Sequence, residues 1–259
     1  MKKILIFNDC VSWGRIGGSQ LDTILTYKGI DVLFLPTALI SNMFSMGETS
    51  IMDTSQYLEN VLNKWTKLDI IFDAIFIGYI KSFEQKDLIE KFIKSLPYKP
   101  LVVHDPIMAD KGSLYKGLDP NIIDIHKEIS KFSNIIIPNF TEAYFLTGKK
   151  NKNIRKIIED LSDNKRKVIV TSAKEYNSHN IIAYDKGKLE KISYNHIDKT
   201  FAGTGDIFDG IFLANYLSKG NFFESIKKSK ESISKILEMK VKDDDGRIDI
   251  RIEKYFNLI

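Results

Sequence analysis

The sequence predicts an α/β protein, a three-layer sandwich with a mostly parallel central sheet and helices on both faces. Three observations carry the layered α/β part of this. Short apolar runs alternate with longer amphipathic ones along the whole chain. The short runs are nearly bare of polar residues, as strands of a parallel sheet covered on both faces must be. The alternation itself calls for right-handed strand–helix–strand crossovers. The predicted strands are Lys3–Phe7, Asp31–Leu35, Asp73–Gly78, Leu101–His104, Ile135–Ile137 and Val168–Thr171. The predicted helices are Gly18–Lys28, Asp53–Leu68, Glu84–Leu96, Pro120–Lys131, Asn151–Ser162, Gly205–Leu217 and Phe222–Met239. Asn221 with Glu224 three residues on has the form of a capping box for the last of these. One stretch departs from the rhythm: Asn180–Tyr184 and Leu189–Tyr194, joined around Asp185-Lys186-Gly187-Lys188, read as an antiparallel hairpin.

No repeat, low-complexity tract or composition shift marks a linker, so residues 1–259 are expected to form a single domain. The net charge of +4 is small, and the lysines are scattered, with short clusters at Lys149-Lys150, Lys165-Arg166-Lys167 and Lys227-Lys228. These read as solvated surface; no basic run is interleaved with aromatic residues as a nucleic-acid platform needs. Cys10 is the sole cysteine, which excludes an intrachain disulfide and a cysteine-based zinc site and fits a reduced, cytoplasmic setting. The apolar run Ile4–Phe7 is too short for a signal-peptide core, and no later run is long enough to span a bilayer.

In open α/β sheets ligands bind beyond the carboxyl ends of the strands. The polar residues at those positions are Asn8-Asp9, His104-Asp105, Pro138-Asn139 and Thr171-Ser172. Each alone is an ordinary loop residue; together they outline a site. The segment Phe201-Ala202-Gly203-Thr204-Gly205-Asp206 adds the chemistry. Its glycines leave backbone N–H groups uncovered, and the helix that starts there contributes its unpaired N–H groups and the positive end of its dipole. That is a nest for an anion, most often a phosphate. Asp206 beside an anion nest needs a task, and the fitting one is to take a proton from a hydroxyl that attacks the phosphate. Tyr79, at a strand end, suits contact with a flat ring. His104 reads as sheet-end packing and Trp13 as loop packing. Met43, Phe44 and Met46 read equally as a flexible lid or an exposed apolar loop. Asp243-Asp244-Asp245 reads as a solvated turn.

With these residues in place, the chain resembles the pyridoxal kinase family of the ribokinase-like superfamily, nearly end to end, and within it the bacterial branch called pyridoxamine kinase. Four blocks carry the resemblance: Asn8-Asp9 through Trp13-Gly14-Arg15; Asp105-Pro106-Ile107-Met108-Ala109-Asp110 with Gly112-Ser113-Leu114-Tyr115; Pro138-Asn139-Phe140-Thr141-Glu142-Ala143 with Leu146-Thr147-Gly148; and Gly203-Thr204-Gly205-Asp206. The resemblance implies transfer of the ATP γ-phosphoryl group to the 5′-hydroxymethyl of a vitamin B6 vitamer. It implies Asp206 as the base and Gly203, Thr204 and Gly205 as the anion hole. It implies Asp105, Asp110 and Glu142 around Mg²⁺ and the phosphates, with Asp105 and Glu142 as the metal residues. Asn139, Thr171, Ser172 and Tyr115 would lie along the nucleotide, and Asp9, Ser41, Asn42 and Tyr79 near the pyridine. A monovalent cation such as K⁺ and a homodimer are further family expectations.

Departures qualify the substrate more than the reaction. Met43-Phe44 follow Ser41-Asn42 where the family usually has a His-Thr pair, and Ile137 stands where threonine is common before Pro-Asn. Asp9 stands where many relatives carry serine, and a carboxylate there favours a vitamer with a cationic amine. The nearest rival is a hydroxymethylpyrimidine kinase, whose members usually show cysteine in place of Asp206. A non-catalytic vitamer-binding protein is the rival from another class.

Overall fold

The computed structural model describes residues 1–148, 152–163, 165–175 and 178–259. Among the described residues the strands are β1 (Lys3–Trp13), β2 (Asp31–Asn42), β3 (Ile51–Asp53), β4 (Ala74–Ile77), β5 (Leu101–His104), β6 (Ala109–Asp110), β7 (Ser113–Leu114), β8 (Ile135–Ile136), β9 (Lys167–Glu175), β10 (Ser178–Asp185) and β11 (Lys188–Tyr194). The helices are α1 (Gly18–Tyr27), α2 (Ser55–Trp65), α3 (Phe83–Ser95), α4 (Ile122–Phe132), α5 (Phe140–Leu146), α6 (Ile154–Ser162), α7 (Thr204–Lys219) and α8 (Phe222–Asp243). Nine strands form one sheet in the order β11-β10-β9-β8-β5-β4-β1-β2-β3. The pairs from β9 across to β2 are parallel, whereas β10, β11 and β3 join antiparallel at the two edges. The expected mostly parallel sheet is therefore observed, and the predicted hairpin is β10–β11.

Alternation along the strands sorts the core. Leu5, Phe7, Ile75, Ile77, Val102 and Val168 face α2 to α6, and Ile4, Ile6, Phe76, Val103 and Ile169 face α1, α7 and α8. Helix α7 is buried without a break from Ile207 to Ala214, because it packs between the sheet, α1 and α8. It ends at Gly220, whose φ of 70° supplies the left-handed cap.

Two strands run further than their apolar cores suggest. Pro36 lacks an N–H and interrupts the β1–β2 ladder, so the register shifts there and Thr37 is left over as a bulge. Beyond the bulge β1 and β2 stay paired to Trp13 and Asn42, and β3 adds to their edge. Asn8-Asp9 thus lie within β1, at the point where its other neighbour β4 stops pairing. Helix α5 and the small β6–β7 flap were not expected. Asn151, the expected start of α6, and Lys149-Lys150 lie outside the described residues; the described helix starts after Asn153, whose side chain accepts from the N–H groups of Arg155 and Lys156. Trp13 is 62% exposed and does not pack, because it sits at the free tip of β1. The acidic run is tied down by ion pairs and hydrogen bonds: Asp244 pairs with Lys199, Asp245 with Lys240 and Lys254, and Asp243 accepts from the Tyr255 hydroxyl. Among the described residues no helix is long and apolar enough to cross a membrane.

Phe212 is fully buried, stacked on Tyr216 at 5.5 Å and edge-on to Phe222 at 5.9 Å. Phe212→Ala should lower stability by about 3–5 kcal/mol in denaturant titration, as for buried aromatic truncations generally. A loss near zero would mean that α7 is not held by this packing.

Candidate active site

The polar site gathers around the N-terminus of α7, where β1, β5 and the Gly14–Gly18 turn meet. Gly203 caps α7 with φ 84°, and no side chain caps the first turn. A Cβ on Gly203 would lie 3.1 Å from the Arg15 carbonyl oxygen and 3.0 Å from Ile16, so both conformation and space require glycine. A Cβ on Gly205 would point into open space. The first turn of α7 therefore offers uncapped N–H groups to an open region, as an anion seat requires.

Asp206 accepts a hydrogen bond from the Gly17 N–H at 2.8 Å. Gly17 has φ 63°, and a Cβ there would fall 2.5 Å from Asp9 Oδ1. One glycine thus feeds Asp206 with its N–H and makes room for Asp9 with its missing side chain. The turn is set by an antiparallel bridge between Cys10 and Gly17. Burial pushes Asp206 up to about 6, against the pull of the Gly17 N–H and its own N–H. The positive end of the helix dipole favours the ionised form; burial offsets part of that pull, and the group stays mostly ionised at neutral pH. Burial, reinforced by the charge of Asp206, pushes Asp9 up to about 7.

Asp105 follows β5 directly, and burial raises it; a proton donated by Asp209 opposes the rise and the charge of Asp206 adds to it. Asp209 was not anticipated from the sequence. It lies on α7 one turn past Asp206, is 1% exposed, and burial and the charge of Asp105 hold it well above the usual carboxylate range. Its Oδ2 has no hydrogen-bond partner. The signal was present in Asp206-Ile207-Phe208-Asp209, a second aspartate three residues on in an otherwise apolar helix, on the same face as the first.

Glu142 and Asn139 lock α5 under the Asp105–Asp110 segment. They form a reciprocal capping box, Asn139 Oδ1 accepting from the Glu142 N–H at 3.1 Å and Glu142 Oε2 from the Asn139 N–H at 2.8 Å. Glu142 Oε1 also accepts from the N–H groups of Met108 at 3.2 Å and Ala109 at 3.3 Å, and Asn139 Nδ2 donates to the Ala109 carbonyl at 2.7 Å. Burial and the Asp105 charge still hold Glu142 well above its ordinary range. Asp110 is exposed on the β6–β7 flap and accepts from the Lys111 N–H, and Tyr115 at the flap's base is 38% exposed. Thr171 and Ser172 form a bulge in β9, two residues facing Ile181 alone, with Ser172 at φ 57°. Bulges of this kind re-aim side chains beside a site.

Tyr79 is buried with Val11, Ala38, Ile40 and Met43 in one apolar cluster, and burial, then the charges of Asp9 and Asp53, push its hydroxyl up to about 12. Of the loop residues that read as lid or exposed patch, Met43 is buried while Phe44 and Met46 are more than a third exposed. Ser41 and Asn42 bond within their own loop: Ser41 Oγ donates to Asn42 Oδ1 and accepts from the Ser50 N–H, and Asn42 Nδ2 donates to the Glu48 carbonyl. His104 is fully buried, with Nε2 2.9 Å from Nδ1 of His126, and packs as expected. Ile137 is buried in the apolar cluster under α7.

The C-terminal segment braces the site from behind. The Ala202 N–H donates to the Ile248 carbonyl at 2.8 Å, and the buried Asp249 accepts from the Arg15 N–H at 3.0 Å while Arg247 grips it through Nε and Nη2.

The raised carboxyls make folding and pH interdependent. A carboxyl whose folded pKa lies above its unfolded value stabilises the fold below the unfolded pKa, and that contribution is lost as pH rises through the folded one. Asp9→Asn should therefore gain on the wild type, in ligand-free protein, as pH rises from 4 to 8, by up to about 4 kcal/mol from a shift of about three units. Parallel pH profiles of denaturant stability for the two proteins would contradict this.

The sequence pattern of the phosphomethylpyrimidine kinase family matches residues 35–250. The pyridoxal kinase PdxY of Actinobacillus pleuropneumoniae is 26% identical over 258 residues, covering 92% of this chain and 89% of that protein. A protein from Bacteroides thetaiotaomicron that carries the phosphomethylpyrimidine kinase name, crystallised with pyridoxal, superposes with a TM-score of 0.90 at 26% identity over 99% of this chain and 95% of its own. The fold is shared with a Plasmodium falciparum structure holding AMP-PNP and PL, at a TM-score of 0.83 and 22% identity over 100% of this chain and 95% of its own. With this match over most of its length, the chain belongs to the phosphomethylpyrimidine kinase family, beside the pyridoxal kinases of the ribokinase-like fold.

Proposed function

We propose that this chain is an ATP-dependent kinase that phosphorylates the 5′-hydroxymethyl group of a vitamin B6 vitamer. The observation that carries the reading is Asp206, held by the Gly17 N–H beside the uncapped first turn of α7. The pyridoxal kinase relatives and the pyridoxal-bound neighbour support the substrate class, and the AMP-PNP-bound structure supports ATP as the donor.

In this reading Asp206 takes the proton of the substrate hydroxyl as its oxygen attacks the γ-phosphorus. A new P–O bond forms, the bond to ADP breaks, and ADP departs with the electron pair. The N–H groups of Gly203, Thr204 and Gly205 meet the charge that grows on the transferring group, where preorganised donors contribute most. Asp105 would hold Mg²⁺, with Glu142 acting from behind it through water; the donor set fits, because Mg²⁺ takes hard oxygen ligands and keeps several waters. Bound there, Mg²⁺ neutralises phosphate charge. Asn139, Thr171, Ser172, Asp110 and Tyr115 are assigned to the nucleotide side. Asp9, Tyr79, Ser41 and Asn42 are assigned to the vitamer side, the last two through the shape of their loop. A homodimer belongs to the same proposal.

Asp206→Asn should lower kcat by at least about a thousandfold with a small change in KM for the vitamer, since a general base contributes about 10²–10⁴-fold and the amide also misplaces the hydroxyl. Wild-type kcat/KM should fall tenfold per unit as pH drops below about 6, following the Asp206 carboxyl of the free enzyme. ADP release would be followed with pyridoxal, pyridoxamine, pyridoxine and hydroxymethylpyrimidine. Turnover on hydroxymethylpyrimidine alone would replace the B6 reading with the rival kinase, and a variant as active as wild type would remove Asp206 as base. The buried Asp9 favours a vitamer bearing an ammonium group, so Asp9→Ser should lower the ratio of kcat/KM for pyridoxamine over pyridoxal. An unchanged ratio contradicts that role.

A further inference from the structure

The carboxylates of this site are not equally free. Both oxygens of Glu142 already accept backbone N–H groups, three in all, so its geometry is committed to holding the Asp105–Asp110 segment on α5. Asp209 is the opposite case. It is 1% exposed, its Oδ2 has no partner, and its carboxyl meets that of Asp105. A buried carboxyl oxygen without a partner costs free energy unless something occupies the space in front of it. The charges that act most on Asp105 and Asp209 are those of other carboxylates. A cation is the group whose arrival would satisfy both carboxyls at once.

We propose that Asp209, with Asp105, is a direct protein ligand of the divalent cation, and that Glu142, which reaches the ion only through water, chiefly positions the segment carrying Asp105. This rests on the kinase reading above and goes past it in assigning a residue that the sequence resemblance does not point to. Among the described residues no three acidic, histidine or cysteine side chains converge on one point. Two carboxylates with water and phosphate completing the shell is the arrangement Mg²⁺ commonly adopts, because it dehydrates reluctantly. Helix geometry fits the assignment: Asp206 and Asp209 are three residues apart on α7 and share a face, so the helix presents the base and the ion ligand side by side.

Mn²⁺ binding to the nucleotide-free protein, read from the electron paramagnetic resonance signal of the free ion, tests this without turnover. Asp209→Asn should weaken Mn²⁺ at least tenfold, Asp105→Asn at least as much, and Glu142→Gln less than threefold. Circular dichroism would show that each variant is folded. Asp209→Asn binding Mn²⁺ within twofold of wild type overturns the proposal, and so does Glu142→Gln weakening it as much as Asp209→Asn. Should Asp209→Asn fail to fold, wild-type protein loaded with Fe²⁺ and treated with ascorbate and peroxide gives the answer. Cuts near both Asp105 and Asp209 support the proposal, and cuts near Asp105 and Glu142 that spare the Asp209 region overturn it. Turnover is measured in parallel. Unaltered Mn²⁺ binding in an active kinase removes this inference alone, while Asp209-dependent binding in a protein that phosphorylates no vitamer removes the kinase reading alone.

Discussion

Uncompensated negative charge is the constraint on which the arrangement turns. Asp9, Asp105, Glu142, Asp206 and Asp209 are gathered at one end of the sheet, each raised by burial, and the charge of a neighbouring carboxylate raises all of them but Asp206 further. A protein holds such a group only where the rest of the fold is stable enough to bear it. Here the parallel strands and the fully buried α7 provide that stability, and the backbone supplies what relief there is, through the N–H groups of Gly17, Asn139, Met108 and Ala109. Such a cluster attracts compensating positive charge, and the uncapped, electropositive terminus of α7 lies beside it as a separate feature.

The separation of those two functions is spatially economical. Acidic side chains and an anion-binding turn would repel the same ligand if they pointed alike. Gly17 keeps them apart. Its N–H draws Asp206 toward the Gly14–Gly18 turn, and its empty Cβ position is filled by Asp9, while Gly205 leaves the space before the α7 terminus open. Replacing Gly17 by any other residue would push Asp9 and strain the turn together, so one position controls both Asp9 and Asp206.

Much of this could be read in the sequence. The apolar strand runs found the sheet because each is covered on both faces, and the Gly203-Thr204-Gly205-Asp206 segment found the start of α7 because glycine and a helix signal coincide there. What escaped has physical causes. Pro36 looks like a strand end, yet bulge formation lets β2 pass it. Helix α5 is only seven residues long and is fixed by its capping box and tertiary contacts rather than by an amphipathic stripe. Asp209 looks like a polar interruption in an apolar helix; only the approach of Asp105, more than a hundred residues away in sequence, gives it meaning. Ser41 and Asn42 were placed by motif, and their hydrogen bonds to one another and to the next turn depend on a loop that no local pattern encodes.

The brace formed by Arg247, Ile248 and Asp249 has a consequence in time. Sheet, helices and most of the core use residues made early, whereas the Gly14–Gly18 turn and Ala202 are each fastened to a segment more than forty residues beyond α7's start. On the ribosome, strands and helices can collapse into a near-native body while that segment is still inside the exit tunnel. The Gly14–Gly18 turn gains this bracing only when that segment emerges, so its final geometry follows the formation of the sheet that carries it.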